Sequence, residues 1–136
     1  MTRLRPLAPL FVVLTACAFS SQTPPRECSR DAPPNRPDGL PAPCDVINAM
    51  TRVSATVRAC SATRGVVGVR FVFHADGSLV EHNPTFDCRG CVAPRGVDED
   101  QTLDCVREAT RSVTLSPFRV PGDRFRVAYP FQLAPR

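Results

Sequence analysis

From Phe125 to Leu133 every second residue is apolar: Phe125, Val127, Tyr129, Phe131 and Leu133 alternate with Arg124, Arg126, Ala128, Pro130 and Gln132. Successive side chains of an extended chain point to opposite faces, so this run puts five apolar groups on one side and leaves the other to water. A strand of that kind belongs to an antiparallel sheet covered on one face only. Pro130 has no backbone N–H, which places at least part of the strand on a sheet edge or at a bulge.

The rest of the chain supplies the cover. Asp45 can cap a helix whose apolar positions Val46, Met50, Val53 and Val57 recur at helical spacing; the helix ends near Cys60, with Gly65 closing it. Val67, Val69, Phe71 and Phe73 then alternate, His74-Ala75-Asp76-Gly77 reads as a turn, and Leu79 to His82 resumes an extended run. An Asp-Gly pair between two such runs predicts a β-hairpin. A second helix follows, capped by Asp98 or Asp100, with Gln101 three residues after Asp98 as in a capping box. Its apolar face is Leu103, Val106, Thr110 and either Val113 or Ala109. The order helix, strand, strand, helix, strand predicts an α+β domain: a small three-stranded antiparallel sheet with two helices on one face. About 90 residues bury only a thin core, so covalent staples are expected.

The N-terminus reads as a targeting segment. Arg3 and Arg5 precede a short apolar run from Leu7 to Ala16 that is too short to span a bilayer. Leu14-Thr15-Ala16-Cys17 resembles a bacterial lipobox. The resemblance implies cleavage before Cys17, acylation of that cysteine and a stable lipid anchor; the alternative is ordinary secretion with Cys17 as a free thiol. The cysteine count supports acylation, because seven cysteines are odd and removing Cys17 leaves six, a set suited to an oxidising compartment. Ala18 after the cysteine resembles an outer-membrane sorting signal. The expected organisation is a signal peptide at 1–16, a lipidated cysteine and proline-rich tether at 17–44, and a globular domain at 45–136.

The tether carries seven prolines between Pro24 and Pro43. Such a stretch favours extended polyproline II and acts as a semi-rigid spacer, or less simply as a PxxP ligand. Cys28 and Cys44 bracket its middle, and if they pair it is looped and shorter.

The ordered set of motifs in the globular part is similar to the TonB C-terminal-like domain, in the form found in lipoproteins and gliding-associated proteins of myxobacteria and related bacteria. The residues that carry the likeness are Cys60 at the end of the first helix, GVVGVRFVFHADGSLV from Gly65 to Val80, CVREATRSVTLSPF from Cys105 to Phe118, and RVAYPFQLAP from Arg126 to Pro135. The loop CRGC from Cys88 to Cys91 is additional to that pattern. The lipobox replaces the membrane helix of an energy transducer. A lipid held in one leaflet does not reach an inner-membrane motor, so a binding role is expected rather than energy transduction. The resemblance implies a Cys60–Cys105 disulfide joining the two helices. Cys88 with Cys91 and Cys28 with Cys44 complete the expected set, one of the fifteen connectivities that six cysteines allow.

Several motifs invite a second chemical reading. Cys88-Arg89-Gly90-Cys91 has the CxxC spacing of a redox site, but it does not open a helix, where the dipole would stabilise a thiolate, and no thioredoxin-like βαβ pattern surrounds it. His74 and His82 flank the hairpin turn and with the CxxC pair would make a tetrahedral zinc set, against which an oxidising compartment sets disulfides; no metal or other cofactor is expected. Asp98, Glu99 and Asp100 cluster where a helix dipole favours negative charge. No nucleophile elbow or HExxH motif occurs, so no catalytic residue is assigned and the chain is not expected to be an enzyme. The formal charge of +4 includes Arg3 and Arg5; without them it is about +2, spread evenly and without a basic block, which excludes a nucleic-acid footprint.

The expected function is therefore that of a cell-envelope module, held to the membrane by its lipid anchor, at the outer membrane facing the periplasm or surface. It would bind a peptide or envelope protein by strand addition at the third strand, with Arg124, Arg126, Ala128 and Pro130 as the contact row. Arg124 and Arg126 otherwise make an ordinary solvated face, or a site for acidic ligands or cell-wall polymer. The alternatives are a purely structural lipoprotein and a CxxC redox protein.

Overall fold

The computed structural model describes Cys28 and residues 33–134; the signal peptide expected at 1–16, Cys17, Pro24 and Pro25 lie outside the described residues. Five elements follow in order: α1 (Pro43–Arg58), β1 (Gly65–His74), β2 (Leu79–Thr85), α2 (Glu99–Thr110) and β3 (Arg124–Leu133). The three strands form one antiparallel sheet in the order β2-β1-β3. The chain is thus α+β, with the element order expected from the pattern.

Register follows the apolar alternation. Val67, Val69, Phe71 and Phe73 pair with Phe131, Tyr129, Val127 and Phe125, all on the helix-covered face. That face is one continuous core: Met50 and Val57 from α1, Val67, Val69, Phe71 and Phe73 from β1, Val106 from α2 and Phe131 from β3 are almost wholly removed from water. Burying side chains of this size contributes about 1.5–3 kcal/mol each. Phe71 stacks on Phe73 and meets Phe131 edge-on. α1 lies over the β3 side and α2 over the β2 side, so the two helices share one face of the sheet.

The helix starts differ in kind. The Asp98 carboxylate accepts from the Gln101 N–H at 2.9 Å and caps α2. At α1 the cap is Ala42, with Pro43 in the first helical position and no side-chain cap. Asp45, expected to cap, sits inside the first turn instead. Proline at the first position is compatible with helix because its missing N–H has no intrahelical partner there anyway. The Asp45 carboxylate is used elsewhere: it accepts from the N–H (3.1 Å) and the hydroxyl (3.2 Å) of Ser116. Gly65 does not close α1, which ends at Arg58; it opens β1, where a Cβ would press on the Val92 carbonyl.

The proline-rich stretch is looped where it is described. Ala42 N–H reaches Pro34 O, Gly39 N–H reaches Arg36 O, and Asn35 bridges to Pro41. The loop docks through Arg119 N–H to Gly39 O at 2.8 Å and the Asn35 amide to Pro117 O at 2.6 Å. Cys28 pairs with Cys44, Cys60 with Cys105 and Cys88 with Cys91. The first pair closes the proline loop onto α1, and the second ties the end of α1 to α2.

Candidate functional site

Two adjoining features make the site: the outer edge of β3, unpaired among the described residues, and the face of the sheet opposite the helices. The direction of the main chain at that edge follows from one contact. Val66 exchanges both hydrogen bonds with Val92, its N–H donating at 2.8 Å and its carbonyl accepting at 2.9 Å, on the β2 side of β1. The His74 N–H likewise turns to that side and donates to Ser78 O at 2.9 Å. Main-chain groups alternate along an antiparallel strand, so the even-numbered residues of β1 address β2 and the odd-numbered ones address β3. Through the register, Phe125, Val127, Tyr129, Phe131 and Leu133 bond to β1. Arg124, Arg126, Ala128, Pro130 and Gln132 turn their peptide groups outward. Among the described residues no other segment donates to or accepts from that outward row.

The same five residues are exposed and carry their side chains on the face away from the helices. They meet Val72, Arg70 and Gly68 of β1 there, with Glu81 and Asn83 of β2 beyond. Arg70, Val72, Glu81, Asn83, Arg126 and Ala128 surround a shallow depression of about 460 Å³. Arg70, Arg124 and Arg126 take part in none of the ion pairs of the described residues, which are Arg36–Asp38, Arg107–Asp104 and Arg111–Glu108. The face is therefore basic, with Glu81 as its one carboxylate among the described residues of the three strands.

The two ends of the edge are defined. Asp123 precedes β3 with φ 55° and Ala134 follows it with φ 86°, both outside the extended region. Pro130 removes one outward donor. β2 is blunted in the same way, since the register turns the peptide group of Pro84 outward.

No family model, curated protein or solved structure matches this chain.

The histidines, the CxxC pair and the acidic cluster do not converge on a second site. The His82 ring lies on the helix side, its Nε2 2.9 Å from Arg107 O, whereas His74 is exposed on the far end of the open face. The register sends the two imidazoles to opposite faces, and no three metal-ligating side chains converge among the described residues. Cys88 and Cys91 rest on the open face directly over Gly68, whose missing side chain makes room for both sulfurs. They do not open a helix; α2 begins at Glu99. Asp98 is used as a cap.

Strand periodicity alone points to Arg124, Arg126, Ala128 and Pro130 but misses Arg70, Glu81 and Asn83. Their signal is present in the sequence: Arg70 sits between Val69 and Phe71 in an alternating run and must point away from the core. What single strands do not reveal is the pairing that places Arg70 opposite Ala128 and Asn83.

Proposed function

We propose that this protein is a lipid-anchored binding module of the bacterial cell envelope, TonB C-terminal-like in kind, that captures an extended peptide segment of an envelope protein as a fourth strand beside β3. The observation that carries the reading is the outward row of main-chain groups from Arg124 to Ala128. Such groups bind an extended peptide through backbone hydrogen bonds, and alternate side chains supply selectivity.

The cysteines support the location. Six are accounted for in three disulfides, bonds that persist in oxidising compartments, and the seventh, Cys17, stands in the lipobox-like tetrapeptide. Lipidation there would place the domain at a membrane surface, and the Cys28–Cys44 loop would hold it close to that surface.

Two measurements test the proposal. Mass spectrometry of the protein from its native cells should find a mature chain that begins at an acylated Cys17; a chain retaining residues 1–16 overturns the anchoring. Envelope proteins captured by the wild-type domain should be lost with Ala128→Pro, which deletes a second outward donor, while the variant keeps its circular dichroism. Equal capture by a folded Ala128→Pro overturns strand addition.

A further inference from the structure

The open face says what kind of strand the β3 edge would accept. Arg124 and Arg126 each contribute twice: their peptide groups point out along the edge, and their side chains stand on the open face. A strand hydrogen-bonded to that edge sets its own residues directly opposite them, on the same face, with Cβ atoms about 4.5–5.5 Å away. Two successive same-face residues of an incoming strand are i and i+2. One strand further in, Arg70 pairs with Ala128 and lies diagonal to Arg126, within reach of a long side chain. The three guanidinium groups share one face of the sheet and have no ion-pair partner among the described residues.

We infer that the segment bound at β3 is acidic in alternation: an extended peptide with carboxylate side chains at i and i+2, opposite Arg126 and Arg124. This rests on the strand-addition reading and narrows it to a partner chemistry. Pro130, which has no donor to offer, and Asp123, which leaves the extended region and brings a negative charge, bound the site to the residues between them. The partner therefore needs only about five residues of extended chain. Arg70 lines the same shallow depression as Arg124 and Arg126.

The test is fluorescence anisotropy of the mature, disulfide-intact chain in detergent micelles at low ionic strength. The probes are four labelled hexapeptides of otherwise identical Thr/Val composition. One has two Glu at alternate positions, one has Gln in their place, and one has the two Glu adjacent. The fourth is the alternating peptide N-methylated at the amides that would face β3. The alternating peptide should bind about tenfold more tightly than the Gln and adjacent-Glu peptides. The preference should fade at high salt and be lost in the Arg124→Glu/Arg126→Glu variant, whose melting temperature should stay unchanged because both positions are exposed. Equal, N-methylation-sensitive binding of the Glu and Gln peptides overturns the acidic inference and leaves strand addition standing. An acidic preference indifferent to N-methylation overturns the inference too, and makes the face a site for polyanions rather than a strand. Absence of binding by every peptide overturns both readings.

Discussion

Gly77 and Leu115 are joined main chain to main chain: the Leu115 N–H donates to Gly77 O at 2.9 Å, and a Cβ on Gly77 would overlap the Leu115 carbonyl. The glycine also has φ +87°, a region that L side chains enter at a cost. The hairpin turn is thereby clamped to the segment after α2, whose Phe118 N–H bonds to Ala75 O and whose Ser116 is held by Asp45. Gly77→Ala should lower stability by about 3 kcal/mol or more, from both the backbone conformation and the overlap. Gly90→Ala separates the two causes. Gly90 has φ +84° but nothing within contact range of a Cβ, so its cost should be the conformational part alone, about 1–2 kcal/mol. Non-reducing urea melts of the two variants compare them directly, and equal losses would refute the clamp.

Gly68 is under a comparable steric constraint on the opposite face of the sheet. A Cβ there would stand 2.7 Å from the Cys88 sulfur and 3.1 Å from that of Cys91. Gly68→Ala should therefore cost about 1–3 kcal/mol through overpacking. In a Cys88→Ala/Cys91→Ala background, with both sulfurs gone, most of that penalty should vanish. A double-mutant cycle reads the coupling; additive effects would mean the disulfide does not rest on this glycine.

Both contacts join residues that no local sequence pattern links. The helices, the hairpin and the alternating third strand were legible because each is set by local periodicity and by caps within a few residues, as Asp98 and Gln101 illustrate. The uncovered face was half legible: Arg124 and Arg126 announce themselves beside Phe125 and Val127, but Arg70 joins them only through the register of β1 against β3. Local spacing offers Asp45 as a cap, but its carboxylate is taken by Ser116, 71 residues away, which no local pattern shows. The turn glycine was recognisable as a turn residue; that it also admits the Leu115 carbonyl was not.

The three disulfides close loops of very different span, with sequence separations of 45 for Cys60–Cys105, 16 for Cys28–Cys44 and 3 for Cys88–Cys91. On the chain-entropy model their removal should cost about 4, 3 and 1.6 kcal/mol in that order. Paired Cys→Ala variants melted side by side test the ranking. Both partners must be changed together so that no thiol is left to exchange. A Cys88→Ala/Cys91→Ala variant less stable than Cys60→Ala/Cys105→Ala would show that packing over Gly68, rather than loop closure, governs the contribution of the short bridge.

Acid should loosen the hairpin turn through Asp76. Its carboxylate accepts from the Ser78 hydroxyl at 2.6 Å and the Ser78 N–H at 2.9 Å, and these bonds, the hydroxyl foremost, hold its pKa below the ordinary value of 3.8. A carboxyl whose pKa is lower folded than unfolded contributes stability above the unfolded value, and that contribution is lost as the pH falls through the folded one. The effect is small because the group is exposed, so it is best read at the residue. The Asp76 side-chain chemical shift should titrate below that of a model aspartate in wild type and return toward it in Ser78→Ala. Global melts from pH 6 down to about pH 3 should lose slightly less stability in the variant than in wild type. If Ser78→Ala leaves the Asp76 titration where it was, the Ser78 hydroxyl is not what lowers the Asp76 pKa.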